Sequence, residues 1–360
     1  MKICIELFIL LVPLSILGQT KNLKSEINKI LRYDTEITFD QTPISIIGII
    51  DRDSTFYVSL KDKKDNSIVD KSTIFEIGSL TKVFTSSLIT ILVDEGILKV
   101  SDKVNKYLPL SYRNPRLEDL TILDLINHYG GFARHPEYFG KRQKNSMDPY
   151  AYYTKQDLLG YYKNYVPRNS KKSFSYSNTG YAILEVVIEN ICEDEYPNIL
   201  QEKILNPLDM QNSFLEFPED RSLIQGFNRA YRKVKPWHFE SFAASEGLKS
   251  TVGDLCLFVR AHFTDEGTPI TKIISERIGI EAPTNYNDNL YIGNGWHFLQ
   301  QKNKYNIVTH TGKTSGHSSF IAFIPETKTG VVILSNSVYG TKDLGFLILR
   351  MINDNWNRKI

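Results

Sequence analysis

Phe75-Glu76-Ile77-Gly78-Ser79-Leu80-Thr81-Lys82-Val83-Phe84 is the stretch that decides how this chain is read. It contains the only Ser-x-x-Lys in the sequence. A short apolar run, Ile74 to Ile77, leads to a glycine, and a helical pattern starts at the serine. In a helix, Ser79 and Lys82 stand three residues apart, on one face and one turn from each other. The hydroxyl then lies at a helix N-terminus with an amine beside it. A serine alcohol is a weak nucleophile until a neighbouring base activates it. Lysine serves as that base when burial or nearby positive charge lowers its pKa. In isolation the commoner meaning of the pattern is an N-cap serine and a solvated helix lysine, so the rest of the chain has to decide.

The 360 residues are 41% hydrophobic and 23% charged, enough for a sizeable core in one large domain or two lobes. A net charge of +2 supplies neither a basic field for nucleic acid nor an acidic tail. Seven scattered histidines, with no Cys-x-x-Cys and no His-Glu-x-x-His, give no support to a metal site. Cys192 and Cys256 lie in apolar helical patterns and read as buried thiols; a disulfide between them stays open. Lys2 is followed by an apolar segment ending Phe8-Ile9-Leu10-Leu11-Val12-Pro13-Leu14-Ser15-Ile16-Leu17-Gly18, the form of a secretory signal over residues 1–18. It falls short of the roughly 20 apolar residues of a membrane span. The expectation is an exported protein, periplasmic or secreted, with no stable membrane insertion after signal cleavage; an uncleaved anchor is the alternative.

Leu23, Ile27, Ile30 and Leu31 predict an N-terminal amphipathic helix. Ile44 to Ile50 and Thr55 to Leu60 predict a hairpin around Asp51-Arg52-Asp53, closed by a polar loop from Lys61 to Asn66. Helical patterns follow from Val83 to a stop at Gly96, over Leu120 to Ile126, Tyr150 to Tyr165, Gly180 to Cys192 and Asp254 to Phe263. Strand character returns near Tyr291 and continues over Gly295 to Gln300, Tyr305 to His310, His317 to Ile324 and Gly330 to Asn336, before a closing helix at Thr341 to Ile352. The fold class is therefore α+β: an antiparallel sheet built from both chain ends and flanked by terminal helices, with a large, mainly helical lobe inserted. The expected division is residues 19–80 with 290–360 for the sheet lobe and 81–289 for the helical lobe, with the active site between them.

Acyl transfer needs a second proton-transfer group beside serine and lysine. Tyr176-Ser177-Asn178 sits among small polar residues just before a strong helix, where a phenol shuttles protons if neighbouring cations lower its pKa. The Asn178 amide has donors for a substrate carbonyl. Turn chemistry, with Asn178 as a cap, explains the same residues. The segment Thr309-His310-Thr311-Gly312-Lys313 sits at a predicted strand end, where an edge strand offers a backbone N–H to a developing oxyanion and Gly312 lets substrate approach. A Gly-rich hairpin turn is the plainer account.

These three motifs, in this order, resemble those of the serine β-lactamase and penicillin-recognising hydrolases, in particular the class C β-lactamase-like branch, which also holds D,D-peptidases, D-amino-acid peptidases and esterases. Ser79 and Lys82 match its Ser-x-x-Lys, Tyr176 and Asn178 its Tyr-x-Asn, and His310, Thr311 and Gly312 its Lys/His-Thr/Ser-Gly. The related class A form of the middle motif, Ser-Asp-Asn, fits less well than the tyrosine version. Flanks agree at Asp102-Lys103-Val104 with Tyr107-Leu108-Pro109, at Asn206-Pro207-Leu208-Asp209-Met210 and at Glu246-Gly247-Leu248-Lys249-Ser250-Thr251, so that the resemblance covers about residues 40 to 336. It implies a β-lactamase/transpeptidase-like fold and a Ser79 acyl-enzyme. Lys82 and Tyr176 would share the base and acid roles, and the N–H groups of Ser79 and Lys313 would form the oxyanion hole. Asn178, His310 and Thr311 would position substrate, with no cofactor or metal.

The chain also departs from the pattern. His310 stands where efficient β-lactamases carry lysine, and a histidine with a reference pKa of about 6.5 is mostly neutral at pH 7. The literal Lys328-Thr329-Gly330 precedes a strand and reads as a hairpin turn. His128-Tyr129-Gly130-Gly131 replaces the family's His-Thr-Ser-Gly, and Pro167-Arg168-Asn169-Ser170 lacks the usual Pro-Gly. The expected function is a serine hydrolase acting on a small-molecule or peptide substrate, an esterase or D-peptidase rather than an efficient β-lactamase. The alternative is a non-catalytic protein that keeps the cleft to bind cell-wall fragments or a partner.

Overall fold

Runs of β-branched residues at both ends of the chain meet in one sheet. The computed structural model describes residues 25, 27, 44–61, 68–139, 148–167, 173–263, 267–279, 281–302, 304–339 and 341–354. The signal segment, most of the N-terminal helix and nearly all of the polar loop after Lys61 lie outside the described residues. The strands are β1 (Ile44–Asp51), β2 (Ser54–Lys61), β3 (Phe75–Glu76), β4 (Gly226–Phe227), β5 (Lys233–Val234) and β6 (Lys249–Ser250). They continue with β7 (Ala282–Pro283), β8 (Leu290–Gly293), β9 (Trp296–Leu299), β10 (Ile307–Lys313), β11 (Ser318–Ile324) and β12 (Thr329–Ser335). The main sheet runs β2-β1-β12-β11-β10-β9-β8-β7, every pair antiparallel. Arg52 turns the first hairpin at φ +53°, and Lys328 turns β11 into β12 at the same φ, so Lys328-Thr329-Gly330 is a turn into a strand.

β1 shows how the sheet is covered. Ile44, Ile46 and Ile50 join the large core, whereas Ile47 and Ile49 join a second core with Ile27, Leu344, Ile348 and Leu349. Alternate side chains of a strand point to opposite faces. Helices on both faces therefore explain why β1 reads as a continuous apolar run rather than an alternating one. Gly48 faces the helix Val252–Arg260 so closely that a Cβ there would stand 2.5 Å from Cys256 Sγ. Cys192 and Cys256 are both free thiols, Cys256 buried and Cys192 partly so.

Phe75–Glu76, within the apolar run that leads to the serine, does not join the main sheet. It pairs with Lys249–Ser250 in a two-stranded sheet of its own. The helix predicted from the serine starts two residues later: Gly78–Leu80 is a 3-10 turn and the α-helix runs from Thr81 to Asp94. That helix is buried over nearly its whole circumference, although it carries Thr81, Lys82, Thr85, Ser86, Ser87 and Thr90. Its polar positions are satisfied inside, with Ser86 Oγ 2.8 Å from Tyr181 Oη and Thr85 donating to the Ala244 carbonyl at 2.6 Å. Phe84 stacks on Phe258 at 3.9 Å between ring centroids. Tyr150 to Thr154 is turn rather than helix, because the Thr154–Asp157 capping box starts the helix at Lys155.

The serine turn rests directly on β10. Ser319 Oγ, on the neighbouring strand, donates to the Ile77 carbonyl at 2.7 Å. A Cβ at Gly312 would stand 1.9 Å from that same carbonyl oxygen. Gly312 therefore serves the approach of the protein's own backbone, not the approach of substrate that its place in the motif predicts. Gly78, at φ +53°, faces Lys313, whose nitrogen would lie 2.8 Å from an added Cβ. Gly312→Ala should push the strand and the turn apart and lower stability by about 2 kcal/mol or more. Denaturant midpoints, and labelling of Ser79 by a fluorophosphonate, check this; unchanged stability and labelling would contradict it.

Candidate active site

Ser79 is 5% exposed and Lys82 is fully buried, with Lys82 Nζ 3.4 Å from Ser79 Oγ. The ammonium also donates to the Ser245 carbonyl at 2.9 Å. Burial pulls the Lys82 pKa down to about 7; Glu246 opposes this and Arg134 adds to it. A lysine so placed is a substantial fraction neutral amine at pH 7, as a base for the serine proton must be.

Tyr176 closes the third side. Its ring lies 5.1 Å from Lys82 Nζ, 5.2 Å from the Arg134 guanidinium carbon and 4.4 Å from the His128 ring. Its phenol lies beside the Ser79 hydroxyl, whose hydrogen bond acts to lower its pKa. Burial outweighs that bond and the Arg134 charge, and the phenol is held well above its ordinary pKa. This corrects the expectation that neighbouring cations lower it: removing water from a phenolate costs more than one nearby guanidinium returns. Tyr176 is a neutral proton donor in the resting site.

Ser177 caps the helix Asn178–Cys192 by accepting from Gly180 N at 3.0 Å, which sets Asn178 at the helix start. The Asn178 amide does not offer its donors to a substrate. Nδ2 lies 2.9 Å from Glu246 Oε1, 3.0 Å from His135 Nε2 and 3.2 Å from Tyr150 Oη, while Oδ1 is buried without a partner.

The third motif divides by strand alternation. His310 is buried with both ring nitrogens unpartnered, 5.3 Å from the His297 ring and 6.4 Å from Tyr176. Burial holds its pKa well below the usual histidine range, so it is neutral. Thr311 and Lys313 are exposed, and Gly312 is buried under Ile77. β9 pairs with β10 only at Ile307 to Thr309, which leaves His310 to Lys313 as a free edge. Thr314 N donates to His317 O at 3.0 Å, so Lys313 and Ser318 form a non-hydrogen-bonded pair. The Lys313 N–H therefore points away from β11, toward Gly78 and Ser79. The hairpin turn is pinned by the buried Glu76, which accepts from Thr314 Oγ1 at 2.8 Å and lies 3.0 Å from His317 Nδ1.

A family model described as Beta-lactamase matches residues 41–352. The chain belongs to the β-lactamase family. The β-lactamase of Psychrobacter immobilis is 26% identical to this family member over 336 residues, spanning 83% of this chain and 80% of that one. The crystal structure of a β-lactamase/D-alanine carboxypeptidase from Pseudomonas syringae superposes with a TM-score of 0.77 at 21% identity, covering 92% of this chain and 99% of that one. A class C β-lactamase from Rhodobacter sphaeroides gives 0.75 at 18% identity, covering 92% and 99%. At these identities the likeness to the two solved structures establishes the fold. This β-lactamase-family serine hydrolase brings Ser79, Lys82, Tyr176, Asn178 and the Lys313 backbone around one point.

Within that family framework, sequence reasoning gives no role to the acidic residue at the centre. Glu246 Oε1 accepts from Ser79 Oγ at 2.8 Å and lies 3.8 Å from Lys82 Nζ, and Oε2 accepts from Tyr150 Oη at 2.8 Å. Glu246 is visible in the sequence only as part of a matching flank; an acidic residue inside the small, apolar run Phe242-Ala243-Ala244-Ser245-Glu246-Gly247-Leu248 is the available signal. Buried Glu185 accepts from Ala244 N at 2.8 Å and so holds the short helix Ala243–Glu246 that carries it.

The lowered Lys82 pKa sets the sign of the pH response. Below about 7 the amine is charged and cannot accept the serine proton, so acylation should rise with pH through about 7 and then level. Stopped-flow acylation rates between about pH 5 and 9 measure this. Lys82→Arg, whose guanidinium stays charged, should remove the rising limb together with at least about 100-fold of the rate.

Proposed function

We propose that this protein is an exported serine hydrolase that cleaves an ester or amide through a Ser79 acyl-enzyme, with a D-amino-acid peptide or an ester as substrate. The observation that carries the reading is the 3.4 Å approach of the buried Lys82 amine to Ser79 Oγ, beside a strand edge that aims the Lys313 N–H at the same turn. Neutral Lys82 accepts the Ser79 proton as Oγ attacks the carbonyl carbon. The backbone N–H groups of Ser79 and Lys313 receive the oxyanion. Tyr176, a neutral phenol beside Oγ, donates to the leaving group as the tetrahedral intermediate collapses. Its phenolate is then reprotonated from Lys82. Water cleaves the resulting ester.

Substrate choice is argued from the departures. A neutral, buried His310 gives a substrate carboxylate no positive charge, which favours esters that carry no such carboxylate over β-lactams. The Pseudomonas syringae neighbour is described as a D-alanine carboxypeptidase as well as a β-lactamase, which supports the peptide reading. Beside the Lys313 strand end, a groove of about 440 Å3 lined by Asn228, Arg229, Lys313, Ser315 and Val338 has room for an acyl substituent. Export rests on the charged start and apolar segment of residues 1–18.

Intact-mass labelling with a fluorophosphonate should add one adduct to the wild type and none to Ser79→Ala. A parallel screen of chromogenic cephalosporin, short-chain nitrophenyl esters and D-alanyl peptides should show turnover of the ester or the peptide well above that of the cephalosporin. Equal labelling of Ser79→Ala, or a cephalosporin preference, would overturn the corresponding half of the reading.

A further inference from the structure

The proton-transfer groups named so far serve the first half of the reaction; the structure also speaks to the second. Glu246 is a carboxylate 3% exposed, and three donors converge on it: Ser79 Oγ and Asn178 Nδ2 on Oε1, and Tyr150 Oη on Oε2. A carboxylate that only accepts is suited by such a set. Its position is fixed from both sides. Glu185 holds the N-terminal end of its helix through Ala244 N, and Lys82 holds the preceding carbonyl, that of Ser245.

Acylation changes this arrangement in one definite way. The Ser79 proton leaves, and Oγ becomes an ester oxygen with nothing to donate. Oε1, 2.8 Å away, then loses one of its donors while remaining buried. A buried charged acceptor that loses a donor is destabilised, and a water that replaces the donor restores the balance. A water bound to Oε1 in that position lies next to the carbonyl carbon, which is one bond from Oγ.

We propose that Glu246 is the base of deacylation, taking a proton from the water that cleaves the Ser79 acyl-enzyme. The proposal rests on the acyl-enzyme reading above. The step balances with no other reactant. The water oxygen bonds to the carbonyl carbon as one of its protons passes to Oε1, and the oxyanion is received by the Ser79 and Lys313 N–H groups. The intermediate collapses, the C–Oγ bond breaks, and Oγ takes the proton back from Oε1 across the same 2.8 Å. Serine, carboxylate and a carboxylic acid product result. Lys82, tethered to Ser245 O and 3.4 Å from Oγ, keeps its role in acylation.

The test separates the two halves. Full-length Glu246→Gln, mixed with 4-nitrophenyl acetate, should release a burst of about one equivalent of nitrophenolate and then turn over at least about 100-fold more slowly than wild type. kcat and KM should fall together, because slow deacylation accumulates the acyl-enzyme. Intact mass should show acetyl on Ser79 persisting, and a fluorophosphonate should still label Ser79 of the variant. Hydroxylamine, a nucleophile that needs no base, should release the acetyl group from the variant. Burst and steady state lost in equal measure, or turnover at the wild-type rate, would overturn the proposal. A wild type that takes no acyl group at all would overturn the acyl-enzyme reading and this inference with it. If Glu246→Gln does not fold, Glu246→Asp carries the test: its carboxylate is withdrawn by one methylene, so acetyl-enzyme should last longer than in wild type, and an unchanged lifetime would overturn the proposal.

Discussion

The site depends on one backbone contact, the seating of the Ile77-Gly78-Ser79 turn on the end of β10. Two glycines allow it, and each is required for a different reason. Gly312 has no room for a Cβ against the Ile77 carbonyl, and Gly78 combines a positive φ with a close approach to Lys313. Ser319 locks the contact with its hydroxyl on Ile77 O. Glu76 then ties the hairpin beyond β10 back to the strand just before the serine, through Thr314 and His317. Ser79 and the Lys313 N–H thus belong to segments more than 230 residues apart, yet they share one rigid backbone unit.

Around that unit the electrostatics are arranged by burial. Lys82 is cut off from solvent and has one near carboxylate, at 3.8 Å, so its charged form is disfavoured. The same burial makes the Tyr176 phenol harder to ionise and keeps His310 neutral. One environment therefore moves a lysine toward being a base and a tyrosine toward being an acid. At the centre of the same environment, three donors converge on the buried Glu246 side chain.

Much of this is legible in the sequence because it is periodic or local. The hairpin of β1 and β2, the terminal strands and the helix after Tyr176 announce themselves through β-branched runs, turn residues and an apolar stripe. The Ser79–Lys82 spacing is visible too, but it takes the other two motifs to lift it above a capping serine and a solvated lysine. Two-residue strands such as Phe75–Glu76 and Lys249–Ser250 have no period to detect, and only the folded chain shows that they pair with each other. Tyr176 does stand beside the serine, but its acidity is the reverse of the sequence expectation, because letters show which charges are near and not how much water is lost. The donors of Asn178, expected to face substrate, are committed inside the protein. The contact between Ser79 and Glu246 spans 167 residues and arises from tertiary packing, which no local pattern records.

The strand order carries a consequence for how the molecule is made. β1, from the start of the chain, lies between β2 and β12, and the platform under the serine turn is β10 with β11. A ribosome that has released only about the first 300 residues has produced the nucleophile and its amine but not the scaffold that braces them. Such long-range pairing is slow, since the loop between partners must be closed before any contact rewards it. The site should therefore form late and all at once during biogenesis, so a nascent chain would lack it until its last strands are in place.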